Sequence, residues 1–386
     1  MTHNRYESEP LAGVVDLFQR RLHMPDPGIV LVTLATVVAN LMTGDPLWLL
    51  IVGPPSSAKT ECLDALCRVK GYLAVSTFTE AGLLSGSSVR AGDTGATGGL
   101  LMQLGEAGLL VFKDFTTVLS EHGSTRARLL ACLREVYDGS YTRRLGTMGG
   151  RTFTWEGKAG FLGAVTGAVD NVDFGLLGER FVYYRLPAQD ENAEFLSGLA
   201  AIENVGRQGE IRRERAEAVR DLMAGLSVPE APPTMTPEDE DRLITLALLG
   251  VRCRSAVVRD SNRRDIDLVP DHERSPRLIA QLGQLAAGLK VIGVSDAESW
   301  RLLAQLALDG MHAGRRTVLE TLMGLGDIHS TASLAGHCRR PQTTTRRHLE
   351  DLNAHGVVDR LGDHPERWVV SDWTLKRWWS VTGARS

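Results

Sequence analysis

Cysteine, lysine and long apolar runs are all scarce in this 386-residue chain. The five cysteines are scattered, without a CxxC pair or a nearby histidine at ligand spacing, which excludes a zinc ribbon and a disulfide framework and favours a reducing, cytoplasmic location. The longest apolar stretch, residues 29–42, falls short of the roughly 20 residues that a membrane span needs, so we interpret it as a core helix. The first ten residues include acids and have no apolar core, so a secretion signal is not expected.

Charge is nearly balanced over the whole chain but uneven along it. The chain has 43 Lys and Arg residues and 47 Asp and Glu residues, a formal net charge of −4. This balance excludes a protein that binds nucleic acid over a uniformly basic surface. From residue 312 onward, however, 11 basic residues stand against 8 acidic ones. With 43% hydrophobic residues the chain has enough apolar material for at least two cores, and its length predicts two or three domains. We expect the last of these to be a basic module.

Short apolar runs alternate with helical patterns between residues 47 and 187. Four runs have the length and continuous apolar character of buried parallel strands: 47–52, 73–75, 108–112 and 160–165. This alternation predicts a doubly wound α/β domain. A helical pattern precedes it, and helical patterns dominate after Pro187. We therefore predict four regions, namely 1–46, 47–187 with a hairpin at 140–155, 188–311 and 312–386.

A glycine turn follows the first predicted strand and opens a predicted helix, 61–69. In this context a P-loop turns backbone N–H groups towards a phosphate, and a lysine ammonium reaches the terminal phosphates. Thr60 would supply a hydroxyl to Mg²⁺. Ala58 replaces the second glycine of G-x-x-x-x-G-K-[ST], so we expect either ordinary dihedral angles there or weakened binding, because a left-handed backbone is costly for alanine. The predicted nucleotide-binding residues are Gly53, Pro54, Pro55, Ser56, Ser57, Ala58, Lys59 and Thr60.

The predicted strand 109–112 ends at Lys113 and Asp114, where a P-loop enzyme delivers acids to its site. One carboxylate stands where two are normally required, one for Mg²⁺ and one to polarise the attacking water. If Asp114 serves the metal, the water-activating glutamate is missing; if it serves the water, Lys113 occupies the metal-side position. A third alternative is that Asp114 caps the following turn. ATP binding is therefore a firmer prediction than fast hydrolysis.

Further motifs follow the phosphate loop in order, at residues 79–88, 109–114, 127–138, 140–155, 161–170, 177–181 and 275–287. Their order and spacing, over residues 47–311, resemble those of minichromosome-maintenance (MCM)-type AAA+ ATPases and of compact phage and mobile-element ATPases of that branch. The resemblance implies an AAA+ P-loop NTPase core, a helical lid at 188–311, and ATP and Mg²⁺ as cofactors. It also implies a homo-oligomeric ring, expected to be a hexamer, that acts on DNA.

The same resemblance assigns three single residues. The polar sensor 1 at the end of the fourth strand would be Thr166, and the sensor 2 of the lid would be Arg277. The arginine finger would be Arg180, whose guanidinium would reach the γ-phosphate held by a neighbouring subunit, so that catalysis needs an oligomer. For the two arginines the alternative is an ordinary surface role, with Arg180 pairing with Glu179 or Asp173.

Two β-rich runs, 141–145 and 151–155, flank a Gly-Gly turn and predict a hairpin. In the resembled family a hairpin at this place projects into the central channel and grips DNA phosphates. The resemblance implies that Arg143, Arg144 and Arg151 bind DNA without sequence preference, through counterion release. The alternative is a surface hairpin with solvated arginines.

The last region predicts three short helices, 317–325, 330–339 and 342–355, and strands at 357–361 and 367–370. This order resembles winged helix-turn-helix domains. The third helix begins with hydroxyl and arginine side chains, which hydrogen-bond phosphates and base edges in a major groove. Winged helices also serve as protein-binding modules, and that alternative stays open. The residues predicted to bind DNA here are Thr343, Thr344, Arg346, Arg347, Arg360 and Arg367.

Two functions of different classes follow from these patterns. The first is a motor: an MCM-like replicative helicase or initiator/loader of a phage or mobile element, which binds single- or double-stranded DNA and hydrolyses ATP at subunit interfaces of a ring. The second is a DNA-binding regulator whose degenerate ATP site is slow or inactive, which Ala58 and Lys113 favour. A third and weaker hypothesis is a defence or signalling ATPase whose C-terminal module contacts protein.

Overall fold

The computed structural model describes residues 5–84, 99–145, 151–171, 180–260, 262, 264–362 and 366–382. The chain divides into two compact units. Unit 1 comprises Met1–Pro233 and Gln284–Ser299, and unit 2 comprises Thr234–Gly283 and Trp300–Ser386. The region 188–311, predicted as one lid, contributes to both units. The hairpin turn, 146–150, and both alternative partners of Arg180 lie outside the described residues.

Unit 1 begins with two helices and continues as alternating strands and helices. The Ser8 side chain caps the N-terminus of the first helix, α1. The elements of unit 1 are α1 (Glu9–Leu22), α2 (Gly28–Leu41), β1 (Trp48–Val52), α3 (Lys59–Asp64), β2 (Tyr72–Val75), α4 (Glu80–Leu83), α5 (Leu100–Leu104), β3 (Ala107–Phe112), α6 (Thr116–Leu119), α7 (Gly123–Tyr137), β4 (Ser140–Leu145), β5 (Arg151–Glu156), β6 (Lys158–Val165), a 3₁₀ turn (Gly167–Asn171), β7 (Phe181–Arg185), α8 (Glu191–Glu203) and α9 (Gln208–Gly225).

Two further helices, α11 and α12, cross the boundary between the units, and the other elements that follow α9 belong to unit 2. In chain order these elements are α10 (Pro237–Arg254), β8 (Val258–Arg259), β9 (Ile266–Leu268), α11 (Pro276–Ile292), α12 (Asp296–Asp309), α13 (Ala313–Leu325), β10 (His329–Ser330), α14 (Thr331–His337), α15 (Gln342–Ala354), β11 (Val358–Leu361), β12 (Arg367–Val370) and α16 (Asp372–Thr382). No helix in the described ranges is long and apolar enough to cross a membrane.

A five-stranded parallel sheet in the order β2-β3-β6-β1-β7 forms the centre of unit 1. Every residue of β1 is buried, as its continuous apolar run predicts. Four aromatic rings, of Trp48, Phe112, Phe161 and Phe181, pack together across neighbouring strands. Because the strands are parallel, their carboxyl ends meet at one edge of the sheet. The predicted α/β class is confirmed, and the sheet is compatible with a P-loop-type fold.

Hydrogen bonds and an ion pair attach the first two helices to the rest of unit 1. Asn40, near the end of α2, donates from Nδ2 to Leu47 O and accepts at Oδ1 from Leu47 N, both at 2.9 Å. This pair of bonds sets the entry into β1. The C-terminal end of α1 is bound in turn to α8 and α9, through Asn204 donating to Arg21 O at 2.6 Å and an ion pair between Arg21 and Glu214 at 3.2 Å.

The strands β4 and β5 form an antiparallel pair from Ser140 opposite Glu156 to Leu145 opposite Arg151. Its base is fixed by two buried aromatic residues that lie opposite each other, Tyr141 and Trp155. The indole N–H of Trp155 donates to Gly105 O at 2.7 Å. The hairpin is therefore anchored at its base, next to the start of β3.

Unit 2 contains α13, α14 and α15 packed on a three-stranded antiparallel sheet in the order β10-β12-β11. Trp368 of β12 is fully buried in its core and donates to Thr331 Oγ1 at 2.9 Å. Leu349 and Leu352 of α15 join the same core, whereas Thr343, Arg346 and Arg347 of that helix are exposed. This is the arrangement that the alternation of apolar residues in α15 predicts.

Candidate functional site

The loop between β1 and α3 begins at Gly53 and ends at Ala58. Gly53 N donates to the carbonyl of Val165, the last residue of β6, at 3.1 Å, which fixes the start of the loop against the neighbouring strand. Ser56 and Ala58 have left-handed backbones, with φ angles of 61° and 62°. Of the two alternatives that Ala58 posed, the structure has the left-handed one, which costs about 1–2 kcal/mol for a residue with a Cβ. With a left-handed backbone at Ala58, we expect nucleotide binding to be weakened.

Lys59 opens α3 and its ammonium group is buried against the loop. Its Nζ donates to Gly53 O at 2.8 Å, to Ser57 Oγ at 2.9 Å and to Pro54 O. Burial lowers the pKa of Lys59, and the charge of Asp114 opposes this decrease. An ammonium has three donors, and the loop occupies all three. Phosphate oxygens would therefore bind Lys59 by replacing loop acceptors.

Asp114 and Thr166 follow β3 and β6, so they lie at the carboxyl edge of the sheet with Lys59. Asp114 Oδ1 accepts from Thr116 N at 3.0 Å, and Thr166 N donates to Thr116 Oγ1 at 3.1 Å. Thr116 thus joins the ends of the two strands. Asp114 does cap the turn that follows it, which was one of the alternatives, while its Oδ2 has no hydrogen bond within the described chain.

A second acid does not follow Asp114. Lys113 forms an ion pair with Asp64 at the end of α3, and Phe115 is fully buried in the core. Among the residues that the structure describes, no group of three or more His, Cys, Asp or Glu side chains is placed to hold a metal ion. The hydroxyl-bearing Thr60, exposed in the first turn of α3, and Asp114 remain the predicted Mg²⁺ ligands.

Glu61, directly after Thr60, connects the phosphate-loop helix to α9. Its carboxylate accepts from Arg212 Nη2 at 2.9 Å and from Arg215, whose side chain is only 3% exposed and lies over the ring of Phe18. Burial raises the pKa of Glu61, but the hydrogen bonds and charges of Arg212 and Arg215 outweigh it, so the net pKa is lowered. Sequence analysis missed this cluster because 151 residues separate Glu61 from Arg212.

Arg180 lies just before β7 and pairs with Asp138 through two hydrogen bonds, at 2.8 and 3.0 Å from Nη2. Its guanidinium also lies over the ring of Tyr137, 5.5 Å from the centroid. β7 runs parallel to β1, so Arg180 lies at the edge of the sheet opposite to the phosphate loop. At roughly 3.3 Å per residue, the five-residue strand separates the two by about 16 Å. Arg180 therefore cannot reach a nucleotide on its own loop.

The hairpin arginines differ in their surroundings. Arg143 is half-buried and donates to the carbonyls of Ala81 and Leu84 at 3.1 and 3.0 Å, so it fastens the hairpin to α4. Arg144 is exposed and has no ion pair or hydrogen bond with a side chain in the described ranges. The side chain of Arg151 lies outside them.

The arginines predicted to bind DNA in unit 2 form two groups. Arg346 of α15 and Arg360 of β11 share one carboxylate, that of Glu366, at 2.7 and 2.8 Å. The others, Arg347 and Arg367, are exposed and make no side-chain ion pair with any described residue. Glu366 thus connects the helix to the β11–β12 ribbon, a connection that sequence analysis missed. Thr343 is exposed and Thr344 half-buried in the first turn of α15.

Arg259 of β8 is a further residue that sequence analysis did not single out. It donates to Asp351 Oδ1 at 2.6 Å, to Glu350 Oε2 at 3.1 Å and to Arg347 O at 2.9 Å. It therefore pairs with both acids of α15, and within the described part of the chain the guanidinium of Arg347 has no ion-pair partner. Arg277, by contrast, is exposed in the first turn of α11, in the unit 2 portion of that helix, so its assignment as sensor 2 stays a prediction.

Comparisons with known proteins do not assign the chain to a family. A scan against models of protein families finds no match, and a search of curated proteins finds none either. The function is therefore inferred from the fold and from the geometry of the site.

Proposed function

We propose that the chain is a DNA-binding AAA+ ATPase of the MCM-like branch, which works as a replicative helicase or initiator/loader of a phage or mobile element. The observation that carries the proposal is the edge of the sheet at which Lys59, Asp114 and Thr166 meet. The strand with the phosphate loop, β1, lies between β6 and β7, and the strand that ends before Asp114 lies next to β6. This order brings an ammonium, a carboxylate and a threonine hydroxyl to one edge of the sheet, which supports the proposal.

The residues at this edge fit ATP and Mg²⁺. Lys59 would bind the terminal phosphates in place of its loop acceptors, and the exposed hydroxyl of Thr60 and the unpaired Oδ2 of Asp114 would hold Mg²⁺. The metal, when bound, neutralises charge that develops on the phosphates. The left-handed backbone at Ala58 is a conformation found in anion nests, which supports phosphate binding, although alanine makes that conformation costly.

A role for Arg180 on the neighbouring subunit's nucleotide is supported by its distance from its own loop. In a ring, the opposite edge of one sheet can face the phosphate loop of the next subunit. The Asp138 carboxylate that pairs with Arg180 is 57% exposed, so a second anion could approach the pair from solvent. A nucleotide bound to the neighbouring subunit would compete with Asp138 for Arg180.

DNA binding by unit 2 is supported by its element order. Three helices followed by the β11–β12 ribbon, with β10 completing the sheet, match the winged helix arrangement. In that arrangement α15 is the helix that enters the major groove. Arg347, Thr343 and Arg367 are exposed there for phosphate and base contacts. In unit 1, Arg144 is the hairpin residue available for DNA.

One observation favours the second candidate, a DNA-binding regulator with slow or no hydrolysis. Lys113 pairs with Asp64 and Phe115 is buried, so neither neighbour of Asp114 can polarise water. A nucleotide held without turnover would then act as an assembly clamp or a switch.

The test is DNA-stimulated ATP hydrolysis by wild type and by Arg180→Ala, with Arg213→Ala, an exposed arginine of α9, as the matched control. The motor predicts stimulated turnover that Arg180→Ala abolishes and Arg213→Ala preserves. Nucleotide-dependent DNA binding without turnover in any variant would support the regulator instead. Absence of both turnover and nucleotide binding would refute both candidates.

A further inference from the structure

The β8–β9 hairpin lies against α15, although its sequence falls within the region predicted as a lid. Both elements belong to unit 2. The guanidinium of Arg259 joins them, because its Nη1 donates to Arg264 O at 2.7 Å and its Nη2 donates to Arg347 O at 2.9 Å. The turn of the β8–β9 hairpin and the second turn of α15 are therefore separated by the width of one guanidinium.

Hydrogen bonds give the turn of the β8–β9 hairpin a definite shape. Asp260 N donates to Asp265 O at 2.9 Å, and Arg264 N donates to Asp260 O at 3.0 Å. Asn262 N donates to Asp260 Oδ1 at 2.8 Å. Arg264 itself has a left-handed backbone, with a φ angle of 64°, which is costly for a residue with a Cβ. The turn thus fixes the backbone of Arg264 beside α15.

One flank of α15 faces the β8–β9 hairpin. Asp351 Oδ1 accepts from Arg259 at 2.6 Å, and His355 Nε2, one helical turn further on, lies 3.1 Å from the carbonyl oxygen of Ala256. Residues four positions apart lie on the same side of a helix. The segment that leads into β8 and β8 itself therefore cover this side of α15.

The opposite flank of α15 faces the β11–β12 ribbon. Asn353 lies roughly 200° around the helix from the carboxylate on the first flank, and it donates to the first carbonyl of β11 at 2.9 Å. Arg346, seven positions earlier and so on the same side, pairs with Glu366 at 2.7 Å. Glu350 lies between the two flanks, since it accepts from Arg346 at 3.0 Å and from Arg259 at 3.1 Å. A line of ion pairs thus runs from the β8–β9 hairpin across α15 to the ribbon.

The charges in this line cancel one another. The hydrogen-bonded network contains three guanidiniums and three carboxylates, those of Arg259, Arg346, Arg360, Glu350, Asp351 and Glu366. In addition, each of the three neighbouring elements has one exposed arginine that makes no side-chain ion pair with any described residue. These arginines are Arg264 on the β8–β9 hairpin, Arg347 on α15 and Arg367 on the β11–β12 ribbon. Positive charge is therefore available on both flanks of α15 as well as on the helix.

The dimensions of duplex DNA suit this arrangement. An α-helix with its side chains is roughly 10–12 Å across, and the major groove is roughly 12 Å wide between two phosphate backbones. A helix that enters the groove fills it, so an element on each flank of the helix meets the backbone of a different strand. A guanidinium binds a phosphate through two parallel hydrogen bonds. Arg264 and Arg367 lie on the flanks along which these phosphates would run.

We infer that the β8–β9 hairpin is a second backbone contact of unit 2, in which Arg264 binds a phosphate of the strand opposite to the one that the β11–β12 ribbon contacts. The inference rests on the proposed binding of duplex DNA by α15. Arg259 is a positioning residue in this contact. It holds the turn against α15 through Arg264 O, while Glu350 and Asp351 occupy its remaining donors.

The experiment measures by fluorescence anisotropy, over a range of salt concentrations, the binding of a short duplex of mixed sequence and of one of its single strands. Arg264→Asn removes the charge and introduces a residue that tolerates a left-handed backbone, whereas Arg264→Lys keeps the charge. Asp265→Asn removes the carboxylate of the exposed residue that follows Arg264. The matched control is Lys376→Asn, which removes an exposed cation of α16.

Arg264→Asn should lower the salt slope of duplex binding by about 0.9, the contribution of one phosphate contact, whereas Arg264→Lys and Lys376→Asn should keep the wild-type slope. Combination with Arg367→Asn should double the loss, because the two contacts lie on separate strands. Asp265→Asn should tighten duplex binding, because it removes repulsion of the same phosphates. The salt slope of single-strand binding should stay unchanged in Arg264→Asn, because a single strand has no groove for α15 to enter.

The positioning role of Arg259 has a readout of its own. In an Arg259→Gln background, Arg264→Asn should no longer lower the salt slope, because the turn is no longer held beside α15. A merely structural role would lower stability without this coupling. The same loss of slope in both backgrounds would overturn the role of Arg259.

Two results would overturn the hairpin contact and leave DNA binding by α15 standing. One is an unchanged duplex slope in Arg264→Asn while Arg347→Asn lowers it. The other is an equal loss of slope on the duplex and on the single strand, since such a contact would not depend on the groove. Wild type that binds neither form of DNA would refute the DNA binding in the proposed function together with this inference.

Discussion

Replacing Glu61 by Gln tests the cluster that joins the phosphate-loop helix to α9. In the wild type, Arg215 is 3% exposed, and its Nε and Nη1 are buried without a hydrogen-bond partner in the described structure. Its charge is therefore balanced by the carboxylate of Glu61, which Arg212 also contacts. Glu61→Gln keeps the shape of the side chain and removes the charge, which leaves the guanidinium buried without an anion.

Breaking a buried ion pair from one side costs about 3–5 kcal/mol. Because the Glu61 side chain is about one quarter exposed, we expect a smaller loss, about 2–3 kcal/mol in the free energy of unfolding. Arg215→Met removes the buried charge and keeps an apolar stem on the ring of Phe18, so it should cost about 1 kcal/mol. The double variant should then be more stable than Glu61→Gln alone.

The assay is urea unfolding followed by circular dichroism. Glu217→Gln, which breaks an exposed pair between α9 and Arg68 in the segment that follows α3, is the matched control and should change the unfolding free energy by less than about 0.5 kcal/mol. A Glu61→Gln variant within that same margin of wild type would refute the reasoning. A double variant as unstable as Glu61→Gln alone would also refute the reasoning.

The same pair sets a pH dependence. The pKa of Glu61 lies below its ordinary value of 4.5 in the folded chain. The pair therefore contributes stability above about pH 4.5 and loses it as the pH falls through the lowered pKa, because protonation removes the charge. The difference in stability between wild type and Glu61→Gln should be constant near neutral pH and shrink below pH 4.5. A difference that grows on acidification would contradict the assignment.

Three further predictions concern the loop and the DNA contacts. Ala58→Gly should raise the unfolding free energy by about 0.5–1 kcal/mol in thermal melts and tighten ATP binding. Glycine removes the energetic cost of a left-handed backbone, and the greater entropy of its unfolded chain offsets part of that gain. Arg144→Ala should reduce the salt slope of duplex binding by about 1, whereas Arg143→Ala should lower stability and leave that slope unchanged; equal slopes in both would contradict the division. Glu366→Gln removes the carboxylate that Arg346 and Arg360 share and should steepen the salt slope in fluorescence anisotropy, and a shallower slope would refute it.

The sheet was predictable from the sequence because its strands are buried on both faces. Residues 47–52 and 160–165 are continuous apolar runs, and the structure has β1 and β6 there. The turn after β1 and the helix that follows it were likewise predicted from local spacing. In each case the signal lies within about ten consecutive residues, where hydrophobic pattern and turn chemistry act directly.

Contacts between distant segments were not predictable in the same way. The prolines at positions 229, 232 and 233 predict a linker over 228–236, and the boundary between the units falls there, but nothing in the helical pattern indicates which unit each helix joins. The pairing of Glu61 with Arg215 and of Arg180 with Asp138 depends on which surfaces meet after folding. The left-handed φ angle at Ala58 was one of two alternatives. The sequence could not decide between them, because glycine is the residue that signals a left-handed backbone.

The most direct test of the central claim is the binding of a fluorescent ATP analogue with Mg²⁺ to wild type, to Lys59→Ala and to Lys70→Ala. Lys70 is an exposed lysine just beyond the phosphate-loop helix and serves as the matched control. The account predicts saturable binding that Lys59→Ala weakens at least tenfold and that Lys70→Ala leaves unchanged. Equal binding by wild type and Lys59→Ala, or no binding by wild type, would contradict it.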